Sequence, residues 1–69
     1  MTTDERMIAF GRRVREVRKS KGISQERLAE MADIDRSYMG NIERGEKNVT
    51  LKKAYEICDA LEVEIQDLV

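Results

Sequence analysis

The chain has 69 residues: thirteen Lys and Arg, fourteen Asp and Glu, no His, no Pro, one Cys and 4% aromatic residues. This bounds it to one small domain, 1–69, excludes a disulfide framework, leaves too few soft ligands for a zinc site and contains no apolar run that could span a bilayer. No secretion-signal pattern opens the chain, so a reducing cytoplasm is the expected compartment.

Without proline, and rich in Ala, Leu, Ile, Glu, Lys and Arg, the composition favours an all-α fold. The predicted elements are short and separated by Gly22, Asp33, Gly45 and the polar run Glu46-Lys47-Asn48. The first spans about Glu5 to Lys21: Met7, Phe10, Val14 and Val17 recur on one face, and Gly22 is placed to end it in a left-handed conformation. Ser24 is a hydroxyl N-cap for a second helix, 25–32, whose inward residues are Leu28, Ala29 and Ala32. After a three-residue break, Asp35 caps a third helix, 36–44, with Met39 and Ile42 inside. Thr50 starts a fourth, Leu51 to about Leu61, with Leu51, Ala54, Ile57 or Cys58, and Leu61 as its apolar stripe. A fifth turn of helix, Ile65 to Leu68, closes the chain. Met7, Met31 and Met39 read as core filler, and Cys58 as a buried, inert thiol.

The net charge of −1 hides a gradient. Residues 1–22 are net +4, residues 23–50 net −2 and residues 51–69 net −3. A nucleic-acid binder is commonly basic overall. A local basic face is nevertheless compatible with an acidic opposite end.

Helices two and three, joined by a tight turn, have the lengths of a helix-turn-helix, and small Ala29 lets the pair cross closely. The outward stripe of the third helix is Arg36, Ser37, Gly40, Asn41 and Arg44. Arg and Asn pair bidentately with guanine and adenine edges. Gly40 disfavours a helix interior by roughly 1 kcal/mol against Ala, which suggests room for a close approach. Read singly, Arg36, Arg44 and Lys47 are ordinary solvated charges, and Ser37 a support for the start of the helix; only the combined pattern points to a groove-reading surface.

The run Gly22-Ile23-Ser24-Gln25-Glu26-Arg27-Leu28-Ala29-Glu30, with Ile42-Glu43-Arg44-Gly45, resembles the phage repressor/Cro-like (XRE-type) helix-turn-helix family. Residues 35–51 are most similar to restriction–modification controller proteins. The resemblance covers about residues 8–69. It implies a compact five-helix, lambda-repressor-like domain that binds double-stranded DNA at a palindromic operator as a homodimer. Carried over residue by residue, it places Arg36, Ser37 and Asn41 at base edges. Arg18, Gln25, Tyr38, Arg44, Lys47 and Asn48 fall at phosphates, with Arg18 also pairing with Glu43. The dimerisation region is 51–69, with Tyr55, Val63, Ile65 and Val69 as contacts. Two positions depart from the family pattern: Asp33 stands at a turn position often held by Gly or Asn, and Glu64 where a Ser or Thr cap is usual. No cofactor, metal, membrane or small-molecule effector is implied, and a chain ending at Val69 is expected to lack an effector domain. The competing expectation is an antitoxin-type interaction module with secondary DNA binding. An enzyme has no support: there is no His and no recognisable nucleophile–base pair.

Overall fold

The computed structural model of the protein describes residues 2–69. Among the described residues there are four α-helices and no strand: α1 (Thr3–Ser20), α2 (Gln25–Ala32), α3 (Arg36–Glu43) and α4 (Leu51–Leu61), followed by a 3-10 turn, Ile65–Asp67. Each α-helix starts on a side-chain oxygen that accepts from a free first-turn amide. Thr2 Oγ1 accepts from Glu5 N–H, Ser24 Oγ from Arg27 N–H, Asp35 Oδ2 from Ser37 and Tyr38 N–H, and Thr50 Oγ1 from Lys53 N–H, all at 3.0–3.3 Å. The Thr2 cap carries α1 back to Thr3, two residues before the expected start.

The helix ends share one device. After each α-helix a left-handed residue, Gly22, Asp33, Gly45 or Glu62, returns its N–H to the carbonyl three residues back. The next residue, Ile23, Ile34, Glu46 or Val63, donates to the carbonyl five back. This is the Schellman arrangement, whose second residue usually folds an apolar side chain onto the helix. Ile34 is buried, and Ile23 and Val63 pack against the core. That packing helps hold Asp33 and Glu62 left-handed without glycine. Glu46 is the exception, being polar and exposed.

The fifth helix is corrected to a single 3-10 turn. Glu64 provides no hydroxyl cap; instead Asp67 Oδ2 accepts from Glu64 N–H at 2.9 Å, closing a tight three-residue loop. Arg13 Nε donates to the Asp67 carbonyl at 2.8 Å and ties this turn to α1.

The core gathers Val14, Leu28, Met39, Ile42, Ile57, Leu61 and Leu68, each essentially inaccessible to solvent. Three apolar expectations fail, the first being Met7, which is only partly covered and stands outside the core cluster. Leu51 is 68% exposed and Met31 41% exposed. Leu51 opens α4 before the helix reaches the core, whereas Met31 lies outside the stripe formed by Leu28, Ala29 and Ala32. A close backbone approach occurs at Gly11, where a Cβ would collide with the carbonyl of Ile42 and lie 2.7 Å from that of Glu43. Gly11 thus lets α1 lie against the end of α3.

Candidate nucleic-acid interface

The interface is built outward from a buried ion pair. Arg18 Nε donates to Glu43 Oε2 at 2.7 Å and Arg18 Nη2 to Glu43 Oε1 at 3.0 Å, while Arg18 Nη1 donates to the Ile23 carbonyl at 2.9 Å. The two side chains are only 9% and 3% exposed. A fork-on-fork pair of this kind fixes orientation as well as charge. It joins the end of α1, the start of the turn before α2 and the last turn of α3. Gln25 joins the same group, its Nε2 donating to Glu43 Oε1 at 3.1 Å.

Against this base, Gln25, Arg36, Ser37, Gly40, Asn41 and Arg44 line one open, polar depression between α2 and α3. The stripe read from the sequence is therefore brought together with the first residue of α2. Arg36 Nη1 lies 3.4 Å from Glu26 Oε2 on α2. Arg44 Nη2 donates to Asn41 Oδ1 at 2.7 Å, and Arg44 Nε lies 3.1 Å from Glu46 Oε1. The space over Gly40 holds the Arg44 guanidinium: a Cβ there would lie 3.2 Å from Nη1.

Two of the expected phosphate ligands are engaged within the protein. Arg18 is held inside by three hydrogen bonds and cannot present its guanidinium without breaking the pair. The Tyr38 hydroxyl donates to the Asn48 carbonyl at 2.9 Å, a contact that ties α3 to the loop after it. Lys47 and Asn48 are exposed on that loop, outside the Gln25–Arg44 depression. Asn48 instead borders an apolar groove with Met7, Leu51, Ile65 and Val69. Of the expected dimer contacts, Tyr55 is 48% and Val69 85% exposed, whereas Val63 and Ile65 are partly buried against the core.

One basic residue outside the expected contact set also lies beside this face. Arg15 borders a second depression with Arg18, Gln25, Glu43 and Arg44. Its signal was the spacing: three residues before Arg18, it lies on the flank of α1 that faces α3. Among the described residues no group of acidic, Cys or His side chains could hold a metal ion, and no helix is long and apolar enough to cross a membrane.

The helix-turn-helix family model matches residues 14–68. Control protein C.BamHI of Bacillus amyloliquefaciens is 45% identical over 69 aligned residues, covering 99% of this chain and 84% of that protein. Control protein C.MunI of a Mycoplasma species is 37% identical over 62 residues, covering 88% and 84%. Among solved structures, the restriction-modification controller protein C.AhdI from Aeromonas hydrophila superposes with a TM-score of 0.89 at 44% identity, covering 91% of this chain and 96% of that one. Matched by the family model over most of its length and by these relatives along nearly all of it, the chain belongs to the helix-turn-helix family of XRE-type, DNA-binding transcriptional regulators.

Proposed function

We propose that this protein is a restriction–modification control protein that binds a palindromic operator as a homodimer and tunes transcription of its operon in the bacterial cytoplasm. The observation that carries the reading is the solvent-open row Arg36, Ser37, Gly40, Asn41 and Arg44 on α3, set beside Gln25 at the start of α2. Arg36, Ser37 and Asn41 read base edges in the major groove. Gln25, Arg15, Arg44, Lys47 and Asn48 hold phosphates, with the N-terminus of α2 adding its free amides. The acidic surplus of residues 51–69 lies outside this row, so a chain of net charge −1 still offers DNA a basic face.

Dimerisation is supported by exposed apolar side chains. Leu51, Tyr55 and Val69 are large apolar side chains left in solvent, and Leu51 and Val69 border one groove with Ile65. An apolar patch on so small a domain marks an interaction surface. A subunit of 30 × 23 × 20 Å is of a size for a two-fold pair to set two recognition helices about 34 Å apart, one turn of DNA.

Selection of bound sequences from a random duplex pool tests this reading. The expected product is an inverted repeat with half-sites one helical turn, or a multiple of it, apart. A pool that shows no enriched sequence overturns it.

A further inference from the structure

We propose that the groove along α1 beside Leu68 is a docking site for an acidic, amphipathic helical segment of a partner protein. None of its residues belongs to the row that faces DNA. The groove runs from Arg6 to Glu16 and encloses about 610 Å³. Its floor is apolar, built from Ala9 and Phe10 of α1 and from Leu68 after the 3-10 turn. Val69 borders both this groove and the one beside Leu51. The wall opposite α1 is anchored at two points. Arg13 Nε donates to the Asp67 carbonyl at 2.8 Å, and Leu68 is buried in the core.

Charge selects the occupant. Arg13, Arg18, Arg27, Arg36 and Arg44 are each paired with a carboxylate. Among the described residues Arg6, Arg12 and Arg15 have no such partner. Arg15 borders the depression beside α3, whereas Arg6 and Arg12 border this groove. They stand three residues to either side of Ala9, about 9 Å apart along the helix axis, and its single methyl leaves the space between them open. Glu16, the acidic residue of the lining, lies 3.7 Å from Arg13 and so leaves those two charges unneutralised. Two free guanidinium groups over an apolar floor match a helix that inserts large apolar side chains and carries Asp or Glu beside them. A phosphate backbone would match the charge but leave the floor uncovered. The groove also lies away from α3. Gly11 and Arg18 meet the end of α3, and Ala9 and Arg13 come out roughly 140–180° round α1 from Arg18. DNA on α3 therefore leaves the groove accessible.

The test uses the full chain and a synthetic helical peptide of about fourteen residues, long enough to span the groove, with Leu and Phe on one face and Glu beside them. A second peptide carries Lys in place of every Glu. Calorimetric titration is expected to show binding of the acidic peptide that weakens with added salt, and binding of the basic one about tenfold weaker or less. Arg6→Glu combined with Arg12→Glu should weaken the acidic peptide by about tenfold or more. Both side chains are exposed, so the helical circular dichroism should be unchanged. Ala9→Trp keeps every charge but fills the floor, and should cause a loss of similar size. Failure of the acidic peptide to bind at millimolar concentration, equal binding of the two peptides, or unchanged affinity in either variant overturns the site. Displacement of the peptide by duplex DNA would place it on the α3 face and overturns it as well. If sedimentation shows that the double Glu variant turns a wild-type dimer into monomer, the groove is a contact between copies of this chain and the partner segment is overturned.

Discussion

Arg18 and Glu43 meet through two parallel hydrogen bonds of 2.7 and 3.0 Å, in a site that leaves them 9% and 3% exposed. The pair joins residues 25 apart in sequence and sits directly beneath Gln25 and the last turn of α3. A buried pair of this kind adds little net stability, but loss of one partner strands the other charge in a poorly solvated site. Arg18→Leu is therefore expected to destabilise the fold by about 3–5 kcal/mol. The double substitution Arg18→Leu with Glu43→Leu should recover most of that loss. Urea unfolding of the three proteins checks this; equal losses in the single and double variants would contradict it.

The same substitution at two glycines should have opposite signs. Gly11→Ala places a methyl against the backbone carbonyls of Ile42 and Glu43, where no side-chain rotation relieves the contact. It should lower stability by about 1–3 kcal/mol despite the better helix propensity of alanine. Gly40→Ala meets only the movable ends of Arg44 and Gln25 and should raise stability by about 0.5–1 kcal/mol. Thermal melts of both variants decide the point.

On DNA, Arg36→Ala should reduce affinity for the selected operator by about 1–3 kcal/mol and change affinity for random duplex far less. Lys47→Ala should weaken both and lower the slope of log affinity against log salt by about one. Titrations at several salt concentrations separate the two roles. An equal loss on both DNAs for Arg36→Ala, or an unchanged slope for Lys47→Ala, would remove the corresponding assignment.

Leu51→Glu should leave the fold intact, since the side chain is 68% exposed, and should shift the protein toward monomer. Sedimentation at micromolar concentrations, with circular dichroism to confirm the helices, measures both. A wild-type protein that is monomeric with and without operator would overturn the dimer.

Cys58 gives a pH dependence. Burial disfavours the thiolate, and the carboxylates of Asp59, Glu64 and Asp67 add to the effect, so the native thiol titrates above the ordinary value of 9.0. A native value raised above the unfolded one means that this group's contribution to stability is complete below pH 9.0 and is lost as pH rises through the native value. Urea midpoints should therefore fall more steeply above pH 9.0 in the wild-type protein than in Cys58→Ala. Identical pH profiles would contradict it.

Much of the fold was legible because its signals are local. Ser24, Asp35 and Thr50 cap the helices they precede, since a hydroxyl or carboxylate one residue before an apolar repeat meets the same free amides wherever that repeat lies. Gly22, Asp33 and Gly45 mark helix ends for a similar reason. Glu62 carried no such signal; its left-handed backbone accompanies the packing of Val63 on the core, a contact that only the assembled fold supplies. Gly11 was silent too, because nothing in its own helix calls for a missing side chain until α3 arrives against it.

The candidate interface divides along the same line. Periodicity alone placed Arg36, Ser37, Gly40, Asn41 and Arg44 on one stripe, because five residues on one short helix have fixed angular positions. Tertiary structure decided what those side chains can do. It turned Arg18 inward onto Glu43, committed the Tyr38 hydroxyl to the Asn48 carbonyl, brought Arg15 beside Gln25 and Arg44, and left Leu51 in solvent. The sequence by itself determined an all-helical domain with a polar reading face, since helical spacing and caps are properties of neighbouring residues. Which of those side chains meet partners from other elements was settled only by packing, because residues such as Gln25 and Glu43 come together only in the assembled fold.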